Sequence, residues 1–115
     1  MRGNNEVNKW FINQFFLSIN AERQELSEND EAPLVKHDLT NQITYVVKGE
    51  GIGMFGDEIR ALSEGDVIMI PLSTPHSFKS KSKTMEMRHY HWPQDHLETD
   101  RIILRDDISG ILNTS

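Results

Sequence analysis

Short apolar runs alternate with turn residues along most of the chain. Alternation with a period of two predicts half-buried strands, and continuous β-branched runs predict buried ones. The runs that we interpret as strands are 32–37, 42–48, 52–55, 59–62, 67–70, 77–79 and 84–92. Gly, Pro, Asn and Asp separate them at short and regular intervals, which is typical of an antiparallel sandwich or barrel. The pattern therefore predicts an all-β fold.

The two ends of the chain follow the pattern less clearly. Residues 8–19 fit a helical period through Trp10 and Phe11, and a strand period from Phe15 onward. Gln14 interrupts the helical stripe, so we favour N-terminal strands over about 14–26. In the tail, 94–115, residues 101–104 could add a strand and 106–112 a helical turn. We expect one domain over 1–115, with its core over about 32–93.

The run 42–48 has two faces of similar apolar character. An antiparallel strand with one solvated face alternates more cleanly, so both faces are expected to be covered. One face would point into the fold. Trp10, Phe11 and Phe16, or a second copy of the chain, would cover the other. A homodimer is thus expected.

Composition restricts the partners. The net charge of −6 argues against nucleic acid, which requires a basic face. The absence of cysteine excludes disulfides and thiolate metal sites. No apolar run is long enough for a membrane span, so a soluble cytoplasmic protein is expected. The run Lys79–Lys83 predicts a solvated hairpin loop, which would attract an anionic substrate if it flanked the site.

The predicted last long strand, 84–92, carries chemistry on one face. Met85, Met87, His89 and His91 alternate with charged or aromatic residues. The period of two places these four side chains on the same face, towards the interior. His89 and His91 are therefore candidate catalytic residues for acid–base chemistry, with core or interface packing as the alternative.

The segment 65–78, GDVIMIPLSTPHSF, joins a buried strand to a turn that contains two prolines. Gly65, Pro71 and His76 stand at the spacing of the second motif of the cupin superfamily, which this segment resembles. Ser73 occupies the position where that family usually has Gly. The resemblance implies a jelly-roll β-barrel, also called a double-stranded antiparallel β-helix, which is commonly dimeric.

A partial version of the family's first motif lies upstream and ends at Gly49. With the longer spacer, Gln42 falls on the acidic position and His37 on the second histidine, while Val35 replaces the first. The shorter spacer would instead select Asp38. The resemblance therefore implies His37, Gln42 and His76 as metal ligands, with one histidine missing and an amide in place of a carboxylate.

Several functions are compatible with these residues. A His/Gln/His set carries no negative charge, so we expect weaker binding of a divalent Fe, Mn, Ni or Zn ion than at a site with a carboxylate. The first hypothesis is a metal-dependent enzyme acting on a small oxygen-rich metabolite, in the lyase, isomerase, cyclase or dioxygenase class. The alternatives are a non-catalytic small-molecule-binding or sensor cupin, and a metal-free sugar isomerase or epimerase. If both residues have only structural roles, His76 is a core histidine and Gln42 is a hydrogen-bonded strand residue.

Overall fold

A computed structural model describes residues 10–12, 14–16, 19, 21–93 and 101–105. Nine strands account for most of them, and the predicted all-β class is confirmed. Their bounds are β1 Glu22–Ser27, β2 Leu34–His37, β3 Asn41–Lys48, β4 Glu50–Phe55, β5 Glu58–Ser63, β6 Val67–Ile70, β7 His76–Ser80, β8 Thr84–Trp92 and β9 Arg101–Arg105.

The strands form two antiparallel sheets. The first has the order β1-β8-β3-β6 and the second the order β5-β4-β7-β2-β9. The chain crosses between the sheets at every connection except that from β4 to β5, so that neighbours in sequence usually lie in opposite sheets. This is the double-stranded β-helix that the resemblance implied.

The hydrophobic core fills one end of the space between the sheets. Inward-facing side chains of both sheets supply it: Leu26, Val46, Leu62, Ile68, Ile70, Phe78, Met85 and Met87, with Phe55 packed against them. On β8 the buried residues alternate with partly exposed ones along the whole strand. The predicted inward face of this strand is confirmed.

The N-terminal strands predicted over about 14–26 are confirmed at 22–26, which belong to β1, and are wrong at 14–16. Residues 10–12 and 14–16 are helical, and the first strand starts only at Glu22. Phe16 stacks on Tyr45 of β3 with ring centroids 5.6 Å apart, and is 3% exposed. The helical conformation lets the Phe16 ring cover Tyr45 on the outer face of the first sheet. The burial of these two aromatic rings favours the helix although Gln14 interrupts its apolar stripe. Trp10 and Phe11, also expected to form the cover, are exposed.

The tail contributes a strand, as predicted for residues 101–104. This strand, β9, pairs with β2 at the edge of the second sheet, with Arg101 opposite His37. The helical turn predicted at 106–112 lies outside the described residues. Within the described ranges, no helix has the length and apolar character needed to cross a bilayer.

The predicted basic loop is shorter than expected. Lys79 belongs to β7 and is buried, with its ammonium group 3.6 Å from the carboxylate of Glu31. Buried lysine side chains are usually paired with a carboxylate in this way. Only residues 81–83 form the connection to β8.

Candidate functional site

A cavity of about 110 Å³ opens between the two sheets, at the end away from the hydrophobic core. All five predicted site residues line it: His37, Gln42, His76, His89 and His91. They come from four strands of both sheets. The structure therefore brings together imidazoles that are far apart in the sequence, in a space suited to a small molecule.

The register of β3 and β8 explains the change from core to cavity. Val46 lies opposite Met87 in the core, Thr44 opposite His89, and Gln42 opposite His91. Side chains of directly opposed residues are neighbours on the same face of a sheet. Both strands thus become polar at the same end, because their inward residues change type together.

A turn between β6 and β7 positions His76. Ser73 in this turn has a φ of 66°, a left-handed conformation that favours glycine. Its hydroxyl donates to Asp38 Oδ1 at 2.9 Å and its amide donates to the carbonyl of His37 at 2.6 Å. These bonds offset the strain of a non-glycine residue. They also attach the turn that leads to His76 directly to the end of β2.

His37 is the ring at the centre of the imidazole cluster. Its centroid lies 5.4 Å from that of His76, in a stacked arrangement, and 4.8 Å from that of His91, edge to face. Val35, which stands at the position of the missing histidine, lies opposite His76 in the sheet and lines the same cavity. One wall of the cavity is therefore hydrocarbon where the family pattern has a ligand.

A chain of hydrogen bonds connects the polar side chains of the first sheet. His91 Nε2 donates to Gln42 Oε1 at 2.8 Å, because an amide oxygen can only accept. Gln42 Nε2 in turn donates to Thr44 Oγ1 at 2.7 Å and to His89 Nδ1 at 3.0 Å. Thr44 Oγ1 also lies 2.7 Å from His89 Nδ1, and His89 Nε2 donates to Gln24 Oε1 at 2.8 Å. In this chain both His89 and His91 carry the proton on Nε2.

Burial keeps two of the histidines neutral. It lowers the pKa of His76 from 6.5 to about 4, although the Thr74 carbonyl opposes that shift by accepting a bond from Nδ1 at 2.9 Å. It lowers the pKa of His89 to about 3, and the neighbouring histidines and Arg101 add to this effect. Because a carbonyl only accepts, Nδ1 of His76 holds the proton and Nε2 holds the lone pair. The carbonyl thereby orients a ring nitrogen that can serve as a metal ligand.

The fit to a metal ion rests on the chemistry of these donors. Among the described residues, no three His, Asp or Glu side chains are positioned to hold one metal ion together. The predicted ligand set differs from such a group, because it combines two imidazoles with the amide of Gln42. Gln42 Oε1 accepts from His91 but has a second lone pair, and His76 presents a neutral nitrogen. His37, Gln42 and His76 therefore fit a divalent ion by donor type, without the charge that would hold it tightly.

Four polar residues of the cavity were missed from the sequence: Glu22, Gln24, Ser77 and Arg101. Glu22 and Gln24 have the same parity on β1 as the buried Leu26, so alternation along that strand could have indicated them. Arg101 carried no such signal, because a period of two in an isolated tail strand does not tell which face is inward.

Comparison with known proteins gives the same fold. A protein from Thermus thermophilus matches with a TM-score of 0.59 and 18% identity, covering 62% of this chain and 69% of that one. KdgF from Halomonas sp. matches with a TM-score of 0.58 and 22% identity, covering 65% of this chain and 69% of that one. A predicted oxalate decarboxylase from Thermotoga maritima matches with a TM-score of 0.58 and 23% identity, covering 60% of this chain and 61% of that one. No curated protein matches the sequence.

The sequence model of the cupin domain matches residues 22–92, which is more than half of the chain. The matched region begins at β1 and ends with β8, and so contains both motifs and all five predicted site residues. The chain belongs to the cupin family.

Proposed function

We propose that this cupin is a metal-dependent enzyme acting on a small oxygen-rich molecule, with His37, Gln42 and His76 as the metal ligands. The observation that carries the proposal is the convergence of these residues on one cavity, where His76 is neutral and its tautomer is fixed by Thr74. KdgF and the predicted oxalate decarboxylase share the fold of this chain.

When bound, a divalent ion would act as a Lewis acid on a carbonyl or carboxylate oxygen of the substrate. The chain's own residues hold and orient the groups around it. His91 keeps a proton on Nε2 against Gln42 and contacts His37, so it remains the proposed acid–base residue. His89 has both ring nitrogens bonded within the protein, so we propose that it positions Gln42 and Thr44 and does not itself transfer a proton.

Metal content tests the proposal. Metal content would be measured on wild type, His37→Ala and His76→Ala purified without added metal. Each protein would then be treated with EDTA and titrated with Fe, Mn, Ni or Zn. Arg60→Ala is the control for the loss of a large polar side chain, because Arg60 is 47% exposed and does not line the cavity. We expect bound metal and a raised thermal midpoint in the wild type and the control, and neither in the two site variants. No metal and no change of midpoint in the wild type would refute the proposal.

A second candidate function is metal-free binding of a small molecule. It is favoured by the hydrogen-bond chain from His91 to Gln24, whose bonds need no ion, and by the hydrocarbon of Val35 in the cavity. The same titration separates the two functions, because a metal-free cupin would bind none of the four ions and its thermal midpoint would not change.

We also propose a homodimer through the outer face of the first sheet. Val67 and Met69 of β6 lie opposite Tyr45 and Ile43 of β3, respectively. Val67 and Met69 are 47% and 66% exposed. Phe16 covers Tyr45 but leaves this neighbouring apolar surface open. A second copy of the chain would cover it, as the apolar character of both faces of β3 indicates.

A further inference from the structure

One ion pair joins the two sheets at the entrance of the cavity. Glu22 lies on β1 and Arg101 on β9, which are the edge strands of the first and second sheets. Arg101 Nη2 is 3.3 Å from Glu22 Oε1, and the two side chains are 48% and 41% exposed. Behind them, His89 lies opposite Glu22 and His37 opposite Arg101 in the two registers, and both imidazoles are buried. The pair therefore stands between solvent and the imidazole cluster.

Arg101 supplies the permanent positive charge of the cavity lining. Of the described residues that line it, Arg101 is the only one that is positively charged at all physiological pH values, and Glu22 is the only carboxylate. The interior behind them consists of apolar groups, the amides of Gln24 and Gln42, the hydroxyl of Ser77, and imidazoles. The positive charge of Arg101 also contributes to the lowered pKa of His76 and His89, so its field extends into the cavity.

We propose that Arg101 binds the carboxylate of a small ligand that enters this cavity, and that Glu22 occupies the guanidinium until the ligand replaces it. The inference rests on the proposed function and names the substrate class of the same site: a short-chain carboxylic acid. The ligand's carboxylate lies at the entrance and its remaining atoms extend towards His37 and His76.

The exchange of partners is favourable for two reasons. A half-exposed ion pair contributes little to stability, because water screens it and ordering the side chains costs entropy. Glu22 contacts the guanidinium through Nη2, whereas a ligand carboxylate held by two parallel N–H groups forms shorter and stronger bonds. The released Glu22 remains at the surface, where it is hydrated. The cavity volume of about 110 Å³ restricts the ligand to a small molecule.

Matched pairs of small probes test the inference. Acetate, lactate and malonate would be compared with acetamide, lactamide and malonamide, which have similar shape and no charge. Binding would be measured by calorimetry, on EDTA-treated protein and on protein reconstituted with metal. We expect at least one acid to bind about 10-fold more tightly than its amide, a difference that corresponds to about 1.4 kcal/mol.

Three variants assign the effect to Arg101. Arg101→Gln should remove the preference for the acid, whereas Glu22→Gln should tighten acid binding severalfold by releasing the guanidinium. Arg60→Gln is the matched control, because Arg60 is 47% exposed, is paired with Glu58, and does not line the cavity. The control should bind as the wild type does.

The inference is overturned if no acid binds, if acids and amides bind equally, or if Arg101→Gln and Arg60→Gln behave alike. Its failure differs from a failure of the proposed function. Retained metal with no preference for acids would refute only the carboxylate site. An Arg101-dependent preference for acids in a protein that binds no metal would refute only the metal-dependent enzyme.

Discussion

Replacing Gln42 with Met tests the hydrogen-bond chain in the cavity. Gln42 is 3% exposed and bonds to three side chains: through Oε1 to His91 and through Nε2 to Thr44 and His89. Methionine has a similar length and no hydrogen-bonding group of comparable strength. The substitution therefore removes the bonds while changing the volume little.

The expected cost follows from the groups left behind. Thr44 and His89 still bond to each other at 2.7 Å, so neither loses every partner in the chain. His91 is buried, and its Nε2–H loses the acceptor to which it donates. Leaving a buried donor unsatisfied costs about 1–3 kcal/mol. We therefore expect Gln42→Met to lower the free energy of unfolding by about 2 kcal/mol, and the thermal midpoint by roughly 8 °C.

Urea unfolding of EDTA-treated protein, followed by circular dichroism, measures this cost without a metal contribution. Thr44→Val is the control, because Gln42 Nε2 can still donate to His89 Nδ1 in that variant. It should cost about 1 kcal/mol, the net value of one ordinary hydrogen bond. The double variant Gln42→Met/His91→Phe removes donor and acceptor together, so its cost should be below the sum of the single costs by about 1 kcal/mol or more.

Two results would contradict this reasoning. The first is a Gln42→Met cost no larger than that of Thr44→Val. The second is additivity of the Gln42 and His91 substitutions within about 0.5 kcal/mol, which would mean that the two side chains are energetically independent. In either case the amide would not be what holds His91.

Acid should unfold the metal-free protein: the lowered pKa values of His76, about 4, and His89, about 3, mean that the unfolded chain binds more protons below pH 6.5. The stability is complete above that pH and falls on acidification by about 1.4 kcal/mol per pH unit for each histidine, so equal urea midpoints at pH 7.5 and pH 5 would contradict it. Met69→Lys should convert a dimer to a monomer in light scattering, and a wild type that is monomeric at high concentration would remove the proposed interface. Gly51→Ala should cost about 3 kcal/mol or more, since its Cβ would lie 2.2 Å from a carbonyl oxygen of β7. Gly56→Ala has open space at φ +61° and should cost about 1 kcal/mol, and equal thermal midpoints for the two variants would refute the difference.

Local patterns were sufficient to locate most strands. A period of two depends only on neighbouring residues, so the inward face of β8 could be predicted from Met85 to His91 without a partner strand. The spacing of Gly65, Pro71 and His76 likewise indicated the family. The same method was wrong at residues 14–16, because a short aromatic segment satisfies both the helical and the strand period. The helix is selected by the contact of Phe16 with Tyr45, which is distant in sequence.

The roles within the site required the folded chain. The sequence predicted that His37, Gln42, His76, His89 and His91 belong to one site, and the cavity contains all five. It could not predict that Gln42 bridges His91 and His89, because hydrogen-bond direction depends on the register of β3 against β8. Nor could it predict the pair of Glu22 and Arg101, which are 79 residues apart and meet only when the edges of the two sheets come together. Alternation within a strand is a local property of the backbone, whereas contact between sheet edges is decided by how the whole sandwich closes.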